Sequence, residues 1–150
     1  MVHERTFCMI KPGVLQRKLA GEVITRIERK GYTITGMKLM HLSRDLCETH
    51  YAEHKGKPFY ESLVEYMTTA PVVAMVIEGE NAILGLRAVC GATNPAEAAP
   101  GTIRGDLAQV TQMNIVHASD SPESAAREVG LFFDAGEIHE YEDETAQWVR

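Results

Sequence analysis

The stretch PVVAMVI, residues 71–77, does most to narrow what this chain can fold into. Seven apolar residues in an unbroken run, opened by a proline, fit a strand covered on both faces. The remaining segments must therefore supply amphipathic cover. Ala20, Val23, Ile24 and Ile27 fall at helical spacing, with Arg29 and Lys30 in the last turn and Gly31 just beyond, which predicts a helix with a complete set of stop signals. Tyr60, Leu63, Val64 and Met67 repeat that spacing. Asn81 is expected to cap a further helix that runs through Val89. Ser121 as N-cap and Pro122 at the first helical position open a last one, with Ala125, Val129, Phe132 and Phe133 facing inward.

Three further runs read as the other strands. Thr6 to Ile10 ends at Lys11-Pro12-Gly13, where the ladder must break. YTITGMKLM, residues 32–40, alternates on one phase up to Gly36 and on the other after it, as a strand kinked at a glycine bulge would. The final strand is expected near 113–117. The order is strand, helix, strand, strand, helix, strand, with a helical insertion after the second strand and a helix plus acidic tail at the end. That is an α+β, ferredoxin-like βαββαβ chain with a four-stranded antiparallel sheet and a C-terminal extension. Residues 91–106, GATNPAEAAPGTIRGD, lack periodicity, and an irregular segment this long is more often functional than idle.

The chain has 150 residues, the size of one domain able to bury roughly 70% of its unfolded surface, so residues 1–150 are read as one unit. No apolar run approaches bilayer length, and MVHERTFCMIKPG does not resemble a signal peptide; a soluble, cytoplasmic protein that needs no membrane is expected. Cys8, Cys47 and Cys90 are odd in number and in no C-x-x-C pair, so neither a disulfide frame nor a zinc knuckle is indicated. The net charge is −6, but residues 134–150 hold six acids against one base, which leaves the remainder near neutral. No basic cluster suited to phosphate neutralisation along a nucleic acid is present, and none is required as a partner.

Neither G-x-x-x-x-G-K-[ST] nor G-x-G-x-x-G occurs, so any phosphate must be held by side chains. Lys11, Arg87, Arg104 and the hydroxyl of Thr93 are the candidates, although for each alone a solvated surface role is commoner. His117 stands out by its surroundings. Asn114 precedes it, Ser119 and Asp120 follow it, and Glu128 lies on the next helix, leaning back toward its start. A neutral imidazole is a competent nucleophile without a base, and a nearby carboxylate can orient it and stabilise its cationic form. Strict alternation would send Asn114 and His117 to opposite faces, so the strand must bend or end near His117 if both serve one site. His50 and His54, four apart in HYAEH, do not make H-E-x-x-H and have no evident third ligand, so no metal site is assigned. His3, His41 and His139 are expected at the surface. Phe59 precedes an amphipathic helix, where an aromatic is more often core or staple than ligand platform.

Five blocks in register, KPGVLQR, HYAEHKGKPFYESLVEYM, PVVAMVIEGENAI, GATNPAEAAPGTIRGD and NIVHASDS, closely resemble nucleoside diphosphate kinases, over about Glu4 to Glu137. The resemblance implies a ping-pong kinase in which His117 carries the phosphoryl group from a nucleoside triphosphate to a nucleoside diphosphate. By that pattern Glu128 and Ser119 support the imidazole, Lys11 and Asn114 meet the ribose hydroxyls and nearby phosphate, and Tyr51 lies close to the histidine. Arg87, Thr93 and Arg104 would hold the phosphates. Phe59 would stack on the base, with Leu63 beside it, and such stacking accepts purines and pyrimidines alike. Mg²⁺ is expected to ride on the nucleotide phosphates, with Asp120 in reach through water. The resemblance also implies a homo-oligomer, a hexamer favoured over a tetramer, with the loop around Pro95 near subunit contacts.

Ala118 stands where glycine is usual, Thr111 where valine is frequent, and Gln112-Met113 replaces a frequent Gly-Arg; the tail after Glu137 matches poorly. Other readings predict other features. An RNA-binding sheet would carry exposed aromatics in a K/R-G-F/Y strand motif, which is missing. A regulatory ferredoxin-like module would have no need of His117, and a metal hydrolase centred on HYAEH would lose activity to a chelator.

Overall fold

A computed structural model of the chain describes residues 2–150. Four strands, β1 (His3–Ile10), β2 (Thr33–Met40), β3 (Val72–Glu80) and β4 (Val116–Ala118), form one antiparallel sheet in the order β2-β3-β1-β4. This is the ferredoxin-like arrangement expected.

The apolar run behaves as its composition demands. Val72, Ala74 and Val76 enter one core, while Val73, Met75 and Ile77 enter another on the opposite face. The neighbouring β1 divides in the same way, with Phe7 and Met9 on the first side and Cys8 and Ile10 on the second. Helices α1 (Ala20–Arg29) and α4 (Ala82–Cys90) cover the second face through Val23, Ile27 and Leu86. The first face is covered by α2 (Arg44–His50), α3 (Tyr60–Met67) and α6 (Pro122–Phe132), through Cys47, Val64, Met67, Val129 and Phe132. The inserted segment after β2 thus closes the face that α1 and α4 leave open.

The bulge lies where the change of phase puts it. Pairing of β2 with β3 slips between Ile34 and Gly36, leaving Thr35 unpaired in the ladder. Gly36 is needed for close approach: a Cβ there would sit 3.0 Å from Val76 Cγ2 and 3.2 Å from Phe133 Cε2. The C-terminal extension then straps the bulge, with His139 N donating to Thr35 O at 2.7 Å and the Tyr141 hydroxyl donating to Ile34 O at 2.6 Å.

Four details differ from the sequence expectations. Asn81 precedes α4 but does not cap it through its side chain; it adopts a left-handed conformation, φ 47°, that turns the chain out of β3. The aperiodic segment contains a five-residue helix, α5 (Ile103–Leu107), capped by Thr102 and too short for its periodicity to register. α2 is a short helix whose Ser43 N-cap accepts from Leu46 N, and its seven residues likewise fall below a legible period. The final strand begins at Val116 and not at 113, because the chain reverses hand at Ile115. Ser121 does cap α6, accepting from Ser124 N at 3.1 Å, with Pro122 next. A last short helix, α7 (Ala146–Val149), ends the described chain.

Candidate active site

The bend required between Asn114 and His117 is a γ-turn. Val116 N donates to Asn114 O at 2.8 Å, and the central Ile115 has φ 75°. A β-branched residue in this region is a backbone outlier costing about 1–3 kcal/mol. Surrounding contacts hold it there. Ile115 itself is buried, and Lys11 N donates to Ile115 O at 2.9 Å. Arg104, only 5% exposed, grips both flanking carbonyls, Nε to Asn114 O at 3.2 Å and Nη2 to Val116 O at 2.6 Å, while Nη1 reaches Gly91 O at 2.7 Å. The turn swings Asn114 and His117 onto the wall of one cavity of about 250 Å³.

His117 sits mid-strand in β4, opposite Met9, and its Nε2 donates to Glu128 Oε1 at 2.7 Å. Ser119 Oγ donates to the same oxygen at 2.7 Å, and Arg127 Nη2 lies 3.4 Å from the other. Burial alone would raise the Glu128 pKa, but hydrogen bonds from His117 and Ser119, together with the imidazole's charge, hold it below the ordinary value. The carboxylate therefore stays ionised and fixes the tautomer: the proton is on Nε2, and Nδ1 keeps its lone pair. Ala118, where glycine is usual in the family resembled, is in regular strand conformation and accommodates its Cβ.

Around the same cavity the fold collects Lys11, Tyr51, Arg87, Thr93, Arg104, Asn114, Asp120 and Glu128. Lys11, at the exit of β1, is buried, and its Nζ donates to Asn114 Oδ1 at 2.6 Å. Burial first and the Arg104 guanidinium second push the Lys11 ammonium down to about 7. Asn114 is fixed at its other end by Nδ2 donating to Thr93 O at 2.9 Å. Arg87 lies in the last turn of α4 and donates to Ala118 O at 2.9 Å. Arg104 spends three of its five N–H groups on carbonyls and retains two. The result is a small cleft with three cationic side chains, an exposed Asp120 at its edge and an imidazole on its wall.

Besides Ser119, which meets the cavity only through Glu128, two candidates stand apart from this lining. Phe59, 45% exposed, precedes α3 with its ring 5.3 Å from His54, whose imidazole does line the cavity. Leu63 is half-buried against the first core. Ser62, between them on α3, donates to Gln112 Oε1 at 3.2 Å and ties this helix to the loop that carries Thr111 and Met113.

Sequence reasoning missed His50. It is buried, and its ring meets His117 edge-on with centroids 4.9 Å apart, while the Tyr51 ring packs against it with centroids 4.4 Å apart. Burial, reinforced by the nearby His117, pushes the His50 pKa down to about 3. The i, i+4 pair with His54 is broken because α2 ends at His50. Only the burial-compatible setting of HYAEH, beside an amphipathic helix, hinted at this placement. His3, His41 and His139 are exposed, as expected.

The family model described as nucleoside diphosphate kinase matches residues 4–138. A nucleoside diphosphate kinase of Archaeoglobus fulgidus is 57% identical over 146 residues, covering 97% of each chain. One from Halalkalibacterium halodurans is 54% identical over 146 residues, 97% of this chain and 99% of that one. Among solved structures, a halophilic nucleoside diphosphate kinase from Halobacterium salinarum in complex with CDP superimposes with a TM-score of 0.96 at 44% identity, covering 99% of both chains. The chain belongs to the nucleoside diphosphate kinase family and is a phosphotransferase acting on nucleoside di- and triphosphates.

Proposed function

We propose that the reaction runs through a phosphohistidine at His117 in two half-reactions. In the first, the Nδ1 lone pair attacks the terminal phosphorus of a nucleoside triphosphate. An N–P bond forms as the bridging P–O bond breaks, and the nucleoside diphosphate leaves with the bonding electrons. The second half reverses these steps onto a different nucleoside diphosphate. Glu128 balances the positive charge the imidazole acquires, and Ser119 holds Glu128 in place. The hydrogen bond of 2.7 Å between His117 and Glu128 on the wall of a cationic cleft carries this reading.

Phosphoryl transfer asks a protein mainly for position and charge neutralisation. Lys11, Arg87 and the two free N–H groups of Arg104 supply the charge, Thr93 adds a hydroxyl, and Asn114 with Lys11 meets the ribose. Tyr51, whose buried hydroxyl has no hydrogen-bond partner, flanks the imidazole layer and is available to the nucleotide side of the site. Phe59 offers its face to the base and Leu63 backs it, which supports broad base tolerance because stacking does not read base edges. Mg²⁺ arrives as part of the substrate. The described residues offer it no carboxylate cage: Glu128 is engaged, and of the two other carboxylates on the lining, Glu53 and Asp120, Asp120 is the one beside the imidazole strand that would meet its water shell.

The working protein is a homo-oligomer, a hexamer in preference to a tetramer. Met37 and Leu39 on β2 and Trp148 on α7, exposed by 46%, 64% and 82%, support burial against other copies. A reducing, cytoplasmic setting fits three free, buried cysteines, and among the described residues no helix is long and apolar enough to cross a membrane. The test is incubation with γ-labelled ATP and no acceptor. An acid-labile, base-stable label on His117 that a nucleoside diphosphate discharges is expected; stable labelling of His117→Ala would refute the assignment.

A further inference from the structure

His50 has no part in the reaction just described, yet it is built into the wall of its cavity. It is 3% exposed, and neither ring nitrogen has a hydrogen-bond partner. Buried imidazoles ordinarily place both nitrogens on partners. Its aromatic neighbours Phe7 and Phe132, with ring centroids at 6.2 and 5.3 Å, offer none. Tyr51 lies against the ring with centroids 4.4 Å apart, but its hydroxyl is likewise unpartnered; the other polar neighbours include His117 and Glu128, and one ligand-capable atom from each of His50, His117 and Glu128 lies within 4.8 Å of the others.

Two imidazoles and a carboxylate are the donor set that Zn²⁺ takes in three-ligand sites with an open fourth position, and Cu²⁺ and Ni²⁺ accept it too. Mg²⁺ prefers oxygen ligands, so the set also discriminates against the ion carried by the nucleotide. Bonds of about 2.1 Å in a tetrahedron put ligand atoms about 3.4 Å apart, so side-chain movements of about 1 Å close the triangle. Glu128 already has the outer partners a metal-binding carboxylate needs, Ser119 Oγ at 2.7 Å and Arg127 Nη2 at 3.4 Å. Lys11, Arg87 and Arg104 line the same cavity and weaken the binding of a dication there.

We infer that His50, His117 and Glu128 form a site for a transition ion of the Zn²⁺ class, and that filling it silences the phosphotransferase. The ion takes His117 at Nε2, the nitrogen that faces Glu128. It displaces the proton there, which moves to Nδ1 and covers the attacking lone pair. Binding rests on the geometry alone, whereas the silencing rests on His117 being the nucleophile.

The experiment titrates the metal-free, full-length protein, without nucleotide, with Co²⁺ followed by its visible absorption and with Zn²⁺ in competition with a chromogenic chelator. One ion per chain is expected, with the intense bands of four-coordinate cobalt. His50→Gln should weaken binding about 100-fold, since even loss of a ligand's outer partner costs about 10- to 100-fold. Because His50 is a core position, Glu128→Gln on α6 serves as an independent second variant, and both are checked for cooperative unfolding. No binding to the unaltered chain below millimolar ion, or equal binding by both folded variants, overturns the site. Binding that follows both substitutions while γ-phosphate labelling continues at saturating Zn²⁺ would uphold the site and remove His117 as nucleophile.

Discussion

His117 and Glu128 face each other across the junction of β4 and α6, with Nε2 and Oε1 separated by 2.7 Å. The contact joins a group that must become cationic to one held anionic, so its strength grows as the phosphohistidine forms. Glu128→Gln keeps the shape and removes the charge. Phosphorylation of the enzyme by a nucleoside triphosphate should slow by about 100-fold, the equivalent of a charge-assisted hydrogen bond of about 3 kcal/mol. Rapid-quench measurement of the first half-reaction checks it; a change smaller than twofold would show that Glu128 contributes only packing.

Arg104 links three backbone carbonyls and holds the γ-turn at Ile115 from both sides. Arg104→Ala should therefore lower stability as well as turnover with every nucleotide. A loss of about 3 kcal/mol, or about 10 °C in Tm, is expected from leaving buried carbonyls unpaired around a strained turn. Thermal unfolding without ligand separates this from phosphate binding, and an unchanged Tm would mean the turn holds without the guanidinium.

Lys11 gives a pH signature. In the folded chain its ammonium is pushed down to about 7, whereas an unfolded lysine keeps its proton to about 10.4. Between those values the unfolded state binds more protons, so this residue makes stability rise with pH across that window, and its penalty is complete below pH 7. Urea unfolding of the unaltered chain and Lys11→Met at pH 7 and pH 9.5 should show their difference shrinking at the higher pH. A difference that stays constant would mean that Lys11 is not desolvated.

Phe59 touches none of the reacting groups and remains largely open to solvent. Phe59→Ala should raise KM about 10-fold for purine and pyrimidine nucleotides alike while leaving kcat close to its original value, as loss of one stacking face predicts. Steady-state kinetics with four bases decides it; a selective effect on one base would indicate edge recognition elsewhere.

Much of the fold was legible because its signals are local or periodic. The seven-residue apolar run requires cover on both faces and obtains it, and the change of phase at Gly36 marks a bulge without reference to anything distant. The short α2 and α5 left no such trace, because five or seven residues complete too few turns to establish a period. Asn81 has the residue type of a cap, and its left-handed turn reflects the path out of β3 and not the needs of α4.

The sequence by itself determined the sheet, its main helices, the family and many, though not all, of the residues gathered at the cavity, His50 being one it missed. Tertiary structure decided how those residues are occupied. Arg104 serves the backbone through carbonyls that come together only when the loops at 91 and 114 meet, and Ile115 accepts a conformation that no local preference favours because packing holds it there. His50 and His117 are 67 positions apart in the chain, and only the packing of α2 on the sheet brings their rings to 4.9 Å. Periodicity encodes which face a residue takes, whereas contacts between distant segments depend on how several faces close at once.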